Sequence, residues 1–124
     1  MAIRVLIVDD VEMTRRAERR VLEEEPDIEV VAEANDGLTA FLLAEQFTPD
    51  VIVMDVAMPL IDGLGATKMI KSAHPRIRVI IVTVLPEMPY RDYALTAGAD
   101  SFVAKDKLGS ELIPTLRQLT RTDS

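Results

Sequence analysis

Five short apolar runs constrain what this chain can fold into: IRVLIV, IEVVAEA, VIVM, IRVIIVT and SFVA. All are rich in β-branched residues and short, which is strand chemistry. Between and after them lie stretches with helical spacing of apolar residues: Ala17, Val21 and Leu22; Leu38, Phe41 and Leu42; Ala66, Met69 and Ile70; Tyr90, Tyr93, Ala94 and Ala97; Leu112, Ile113, Leu116 and Leu119. Strand and helix therefore alternate five times. A run that is apolar throughout must be covered on both sides of its sheet, and crossover helices supply that cover. The predicted class is α/β, a five-stranded parallel sheet flanked by helices.

Local punctuation agrees. Pro26, Pro49 and Pro75 each stand just before a strand, where a helix has already stopped. Asp36-Gly37 and Asp62-Gly63 open the second and third helices with the acid as N-cap, and Gly98 is placed to cap the fourth in a left-handed conformation. Pro86 and Pro89 delay the start of the fourth helix and stiffen its approach. Pro114 conflicts with a last helix starting near Ser110, so that helix is expected to start later or to bend.

A chain of 124 residues is one domain, residues 1–124, with a fraying tail or the start of a linker at TRTDS. A hydrophobic share of 48% with 28% charged residues argues against disorder. No apolar run approaches the roughly 20 residues of a membrane span, and MAIRVLIVDD does not read as a secretory signal. The absence of cysteine suits a cytoplasmic protein. A net charge of -7 repels a phosphate backbone, so direct nucleic-acid binding by this chain is not expected. The local exception, RRAERR, puts Arg15, Arg16, Arg19 and Arg20 on one helix and is read as a solvated face. His74, the single histidine, is read as a surface residue and not a metal ligand.

The chemistry lies where the strands end. The first run ends on Asp9 and Asp10, the third on Asp55, the fourth on Thr83 and the fifth on Lys105. In an open parallel sheet all these ends share one edge, where ligands bind. Two carboxylates about 5 Å apart repel by roughly 3 kcal/mol at an effective dielectric near 20. A hard divalent cation offsets that best, and an all-oxygen acidic site suits Mg²⁺. Helix capping explains an acid after the first strand but not Asp55, because the next helix starts only at Asp62. Three acids, a hydroxyl and an ammonium around one cleft are what transfer of a phosphoryl group requires.

The ordered motifs VDD, MD followed by MPLIDG, T and K, from about Ile3 to Leu119, resemble the receiver domain of bacterial two-component response regulators. GADSFVAKD, with Asp106 after the lysine, is most similar to the NarL/LuxR group. The resemblance implies a flavodoxin-like doubly wound sheet of order 2-1-3-4-5 in a single domain. It implies that Asp55 accepts a phosphoryl group from a sensor histidine kinase or phosphotransfer protein. Asp10 and Asp55 then match the direct ligands of Mg²⁺, with Mn²⁺ as a substitute, Asp9 acting through water and Ala57 through its backbone carbonyl. Lys105 matches the lysine on the phosphoryl oxygens, Thr83 the hydroxyl that moves toward them, and Phe102 the aromatic that follows it inward. Output, and a homodimer, would run through the face of helix 4, strand 5 and helix 5, which includes Tyr90, Arg91 and Tyr93. Met58 and Pro59 are read as shaping the loop beside the acceptor, while Val84 is bulkier than the family's usual small residue and would narrow access.

Three rival readings are weaker. An aspartyl-nucleophile phosphatase wants an acid two residues after the nucleophile, where this chain has Ala57. A nucleotide or flavin binder wants a glycine-rich loop after the first strand, where it has DDVEMTRR. A docking module that is never phosphorylated has no need of the acids, all of which are present.

Overall fold

Each of the five apolar runs forms a strand in the computed structural model, which describes residues 2–56, 62–84 and 90–121, with the backbone only at Tyr90, Arg91 and Tyr93. Strands β1 (Ile3–Val8), β2 (Ile28–Ala34), β3 (Val51–Asp55), β4 (Arg78–Thr83) and β5 (Ser101–Ala104) alternate with helices α1 (Glu12–Glu23), α2 (Gly37–Phe47), α3 (Gly63–Ala73), α4 (Tyr90–Thr96) and α5 (Leu108–Thr120). A 3₁₀ turn, Lys105–Lys107, joins β5 to α5. All pairings are parallel and the order is β2-β1-β3-β4-β5, as the resemblance implies. Val51, Ile52, Val53 and Met54 are fully buried, which is how a central strand covered on both faces must look. The edge strand β2 is the exception: it exposes Glu29 and is otherwise largely half-buried.

Strand alternation divides the core into two layers. One packs Val5, Ile7, Val51, Val53 and Val103 against Leu22 of α1 and Leu112 and Leu116 of α5. The other packs Leu6, Val8, Ile52, Met54, Val79 and Ile81 against Ala40 and Ala44 of α2, Ala66 and Ile70 of α3 and Ala94 of α4.

Helix caps follow the local chemistry. Asp36 accepts from the Thr39 amide and Asp62 from the Gly65 amide, both at 2.7 Å, and Gly98 has φ +104. Three expectations need correction. The inward face of α2 is Gly37, Ala40 and Ala44, because small residues let the helix approach the sheet closely, while Leu38 and Leu42 stay 45% and 58% exposed. Helix α1 turns Ala17 outward and buries Glu18 instead. Helix α5 starts at Leu108, earlier than expected, so Pro114 sits inside it. Its ring denies the Ser110 carbonyl an amide partner, and both residues are exposed, so that carbonyl is open to water.

Thr48 ends α2 with φ +40, a left-handed conformation that a β-branched residue adopts only under strain. Thr48→Asn is predicted to stabilise the fold by about 1 kcal/mol, since asparagine tolerates this region. Thermal unfolding should rise by roughly 3–5 °C for a domain of this size.

Candidate functional site

Strand register builds the site. Val8 pairs with Met54, so the next residues, Asp9 and Asp55, emerge side by side from β1 and β3. Asp55 pairs with Val82, which places Thr83 one residue further along β4, and Thr83 pairs with Ala104, immediately before Lys105. Asp9 is fully buried and Asp55 is 5% exposed, whereas Asp10 is exposed. The strand-end acids, Thr83 and Lys105 therefore meet on one edge, as predicted.

Asp9 is held from several directions. Its amide donates to the Ala34 carbonyl at 3.1 Å, its Oδ1 accepts from the Val11 amide at 2.8 Å, and Arg15 donates to its carbonyl at 2.7 Å. Arg15 and Arg19 also pair with Glu33 of β2 at 3.0 and 2.7 Å. Two arginines of RRAERR are thus braces between α1 and β2, and only Arg16 and Arg20 match the expected solvated face. Burial works to raise the Glu33 carboxyl's pKa, but the hydrogen bonds from Arg19 and Arg15 outweigh it and hold it low.

The Lys105 ammonium lies 3.1 Å from Asp9 Oδ2 and 3.2 Å from Asp55 Oδ1. The first contact is one of charge, since that buried Asp9 oxygen accepts no well-aligned hydrogen bond. Burial works against the ammonium, yet the two carboxylates prevail and raise its pKa. At Asp55, burial and then the charge of Asp9 push the carboxyl up, and Lys105 only partly reverses this. The crowding foreseen from the sequence is therefore real and incompletely neutralised.

One carboxylate oxygen from each of Asp9, Asp10 and Asp55 can be chosen so that all lie within 4.8 Å of one another. That all-oxygen donor set, with excess negative charge and a buried oxygen lacking a good donor, fits a Mg²⁺ or Mn²⁺ ion. Thr83 is buried, and Phe102 is half-buried against the layer of α2, α3 and α4. Val84 is 70% exposed, so most of its side chain lies in solvent. His74 is half-buried, with Nε2 3.3 Å from Glu45. Ala57, Met58, Pro59, Pro86 and Pro89 lie outside the described residues, as do the side chains of Tyr90, Arg91 and Tyr93.

Two residues matter here that sequence reasoning missed. A Cβ on Gly63 would sit 1.8 Å from the Asp55 carbonyl oxygen, so the first turn of α3 is seated against the backbone of Asp55. The Gly63 amide also donates to the Val56 carbonyl at 2.8 Å. The signal available was a glycine at a helix's first position, where capping alone does not require one. The second residue is Glu18, 1% exposed, which burial and then the charge of Asp9 push up to about 9. Nothing in a polar residue's identity announces burial.

Residues 5–117 match the family described as the response regulator receiver domain. Response regulator GacA of Pseudomonas viridiflava is 38% identical over 115 residues, covering 93% of this chain and 54% of GacA. VraR of Staphylococcus aureus is 38% identical over 124 residues, all of this chain and 59% of VraR. The chain thus spans little more than half the length of these curated relatives. Among solved structures, the response regulator domain of Thermotoga maritima CheB superposes with a TM-score of 0.92 at 35% identity, covering 100% of both chains. A LuxR-family response regulator from Aurantimonas gives 0.91 at 33%, covering 96% of this chain and 85% of that one.

Two outcomes are predicted. Gly63→Ala should cost at least about 2 kcal/mol, because backbone must move to admit the methyl group, and amide spectra should show Asp55 displaced. Glu18 keeps its proton in the folded chain after the unfolded chain has lost it, so stability falls as pH rises from about 4.5 to about 9. Glu18→Gln removes that slope. Denaturant titrations should find the native chain losing up to about 4 kcal/mol relative to the variant between pH 4.5 and 7.5.

Proposed function

The chain belongs to the response regulator receiver family, and from that premise we propose that Asp55 is its phosphoryl acceptor. The observation that carries this is the Lys105 ammonium lying between Asp9 and Asp55 beside a three-acid cluster. An Asp55 carboxylate oxygen attacks phosphorus, forming the O–P bond. The P–N bond to the donor's phosphohistidine breaks, and the imidazole leaves with a proton. Asp10 and Asp55 would ligate the divalent cation directly, Asp9 through water and Ala57 through its carbonyl. When bound, Mg²⁺ or Mn²⁺ neutralises the acids and the phosphoryl oxygens. Lys105 exchanges its carboxylate contacts for phosphoryl oxygens, which keeps positive charge where negative charge develops.

The added phosphoryl group brings about -2 of charge and new acceptor oxygens, and these bias an existing equilibrium. Thr83 takes up one oxygen, and Phe102 follows it inward. The face of α4, β5 and α5 carries the output, through a homodimer or an attached domain. A sensor histidine kinase or phosphotransfer protein supplies the phosphoryl group, in the cytoplasm. Relatives that include a transcriptional regulatory protein, DegU of Brevibacillus brevis, and a DNA-binding response regulator of Staphylococcus aureus support a transcriptional output for the whole protein. No helix among the described residues is long and apolar enough to cross a membrane. The chain acts as a regulatory acceptor that assists its own phosphotransfer and dephosphorylation.

The test is incubation with a small phosphodonor such as phosphoramidate plus Mg²⁺, followed by intact-mass measurement. The native chain should gain one phosphoryl group, Asp55→Asn none, and omission of Mg²⁺ should reduce the yield at least about tenfold. A native chain that gains nothing would instead be a docking module.

A further inference from the structure

Glu18 takes no part in the chemistry above, yet it is buried on α1, which packs on the same face of the sheet as Val53, two residues before Asp55. It sits one helical turn before Leu22 on the stripe of α1 that faces the layer of Val5, Ile7, Val51, Val53 and Val103. Alternation carries Asp55 onto that same layer, two residues beyond Val53 on β3, and the Lys105 ammonium reaches in from the turn after β5 to lie 3.2 Å from Asp55 and 3.1 Å from Asp9. Glu18 is 1% exposed, and its Oε1 has no hydrogen-bond partner. A leucine in its place would bury without the penalty of an unsatisfied carboxyl. The charged groups acting on Glu18 are Asp9, Asp55 and Glu33, which oppose its ionisation, and Lys105, which favours it. Glu33 is itself paired with Arg15 and Arg19.

The Lys105 ammonium has two carboxylate partners at present, and a divalent cation in the cluster competes for both. The cation also repels the ammonium. Lys105 must nevertheless stay in the site if it is to meet phosphoryl oxygens. Among the described residues, Glu18 Oε1 is the one buried carboxylate oxygen outside the acid cluster that is left without a partner.

We propose that Glu18 is a positioning residue: when a divalent cation draws Asp9 and Asp55 to itself, the Glu18 carboxyl releases its proton to solvent and becomes the inner partner of Lys105. The cation removes the repulsion that keeps Glu18 protonated, and the ionised carboxylate removes the ammonium's reason to leave. Cation binding and loss of the Glu18 proton therefore assist each other, as reciprocal coupling requires. This inference rests on the reading that the acid cluster takes a divalent cation.

The experiment titrates the full chain with MgCl₂ near pH 7.5, following the Lys105 ¹⁵Nζ and carboxyl ¹³C signals by NMR and proton release by calorimetry in two buffers. In the native chain the Glu18 carboxyl should shift toward its ionised form, about one proton should leave per cation, and the Lys105 signal should persist. In Glu18→Gln, proton release should vanish, the Lys105 signal should broaden through exchange with water, and Mg²⁺ affinity should fall roughly 5- to 10-fold. Glu18→Leu should behave like Glu18→Gln. Equal proton release and an equally protected Lys105 in the native and Gln chains would overturn the proposal. So would a native Glu18 carboxyl that stays protonated at saturating Mg²⁺, an observation that needs no variant. If Mg²⁺ moves neither the Asp10 nor the Asp55 signal, the cation reading falls and takes this inference with it. If those signals move and Glu18 does not, only this inference fails.

Discussion

Parallel register places two carboxylates, Asp9 and Asp55, at the ends of neighbouring strands, and the rest of the site depends on how their mutual repulsion is met. The strands cannot slip to relieve it, because a one-residue shift would exchange the two core layers of every side chain on β1 or β3. Lys105 meets part of the repulsion, yet Asp55 remains harder to ionise than an ordinary aspartate. Such a site is poised to take up positive charge, and any event that changes the balance is felt by everything packed against it. That is the physical basis for using one carboxylate as a switch.

The supports around the edge are stiff and serve position more than net stability. Gly63 seats α3 on the backbone of Asp55, and Arg15 ties the start of α1 to both Asp9 and β2. On the far side of the sheet Asp100 accepts from Lys71 at 3.0 Å and from the Val79 amide at 2.8 Å, which fixes the path into β4. Glu18 works against stability, since it buries a carboxyl that a core leucine would replace at a gain.

Much of this was legible in the sequence because its physical causes are local. Strands β1, β2 and β5 fall where the apolar runs stand, and Asp36 and Asp62 cap the helices they precede. The sheet order and the meeting of Asp9, Asp10, Asp55 and Lys105 follow from parallel register together with the family resemblance. What was not legible depends on distance of approach. Helix α2 uses Ala40 and Ala44 to come close to the sheet, so apolarity pointed to Leu38 and Leu42 while size decided otherwise. Glu18 is buried by its place on α1 and not by its chemistry, and Arg15 and Arg19 became braces because Glu33 lies opposite on β2. Thr48 adopts a left-handed conformation that nothing about a threonine before a proline foretells.

The most direct measurement is the unfolding free energy of the native chain and of Asp55→Asn, each with and without Mg²⁺, at fixed pH near neutrality. If strand-end repulsion governs this edge, the variant is the more stable of the two without the cation, and Mg²⁺ raises the native chain's stability while leaving the variant's nearly unchanged. A variant that is less stable without Mg²⁺, or that gains as much from it as the native chain does, would contradict the account.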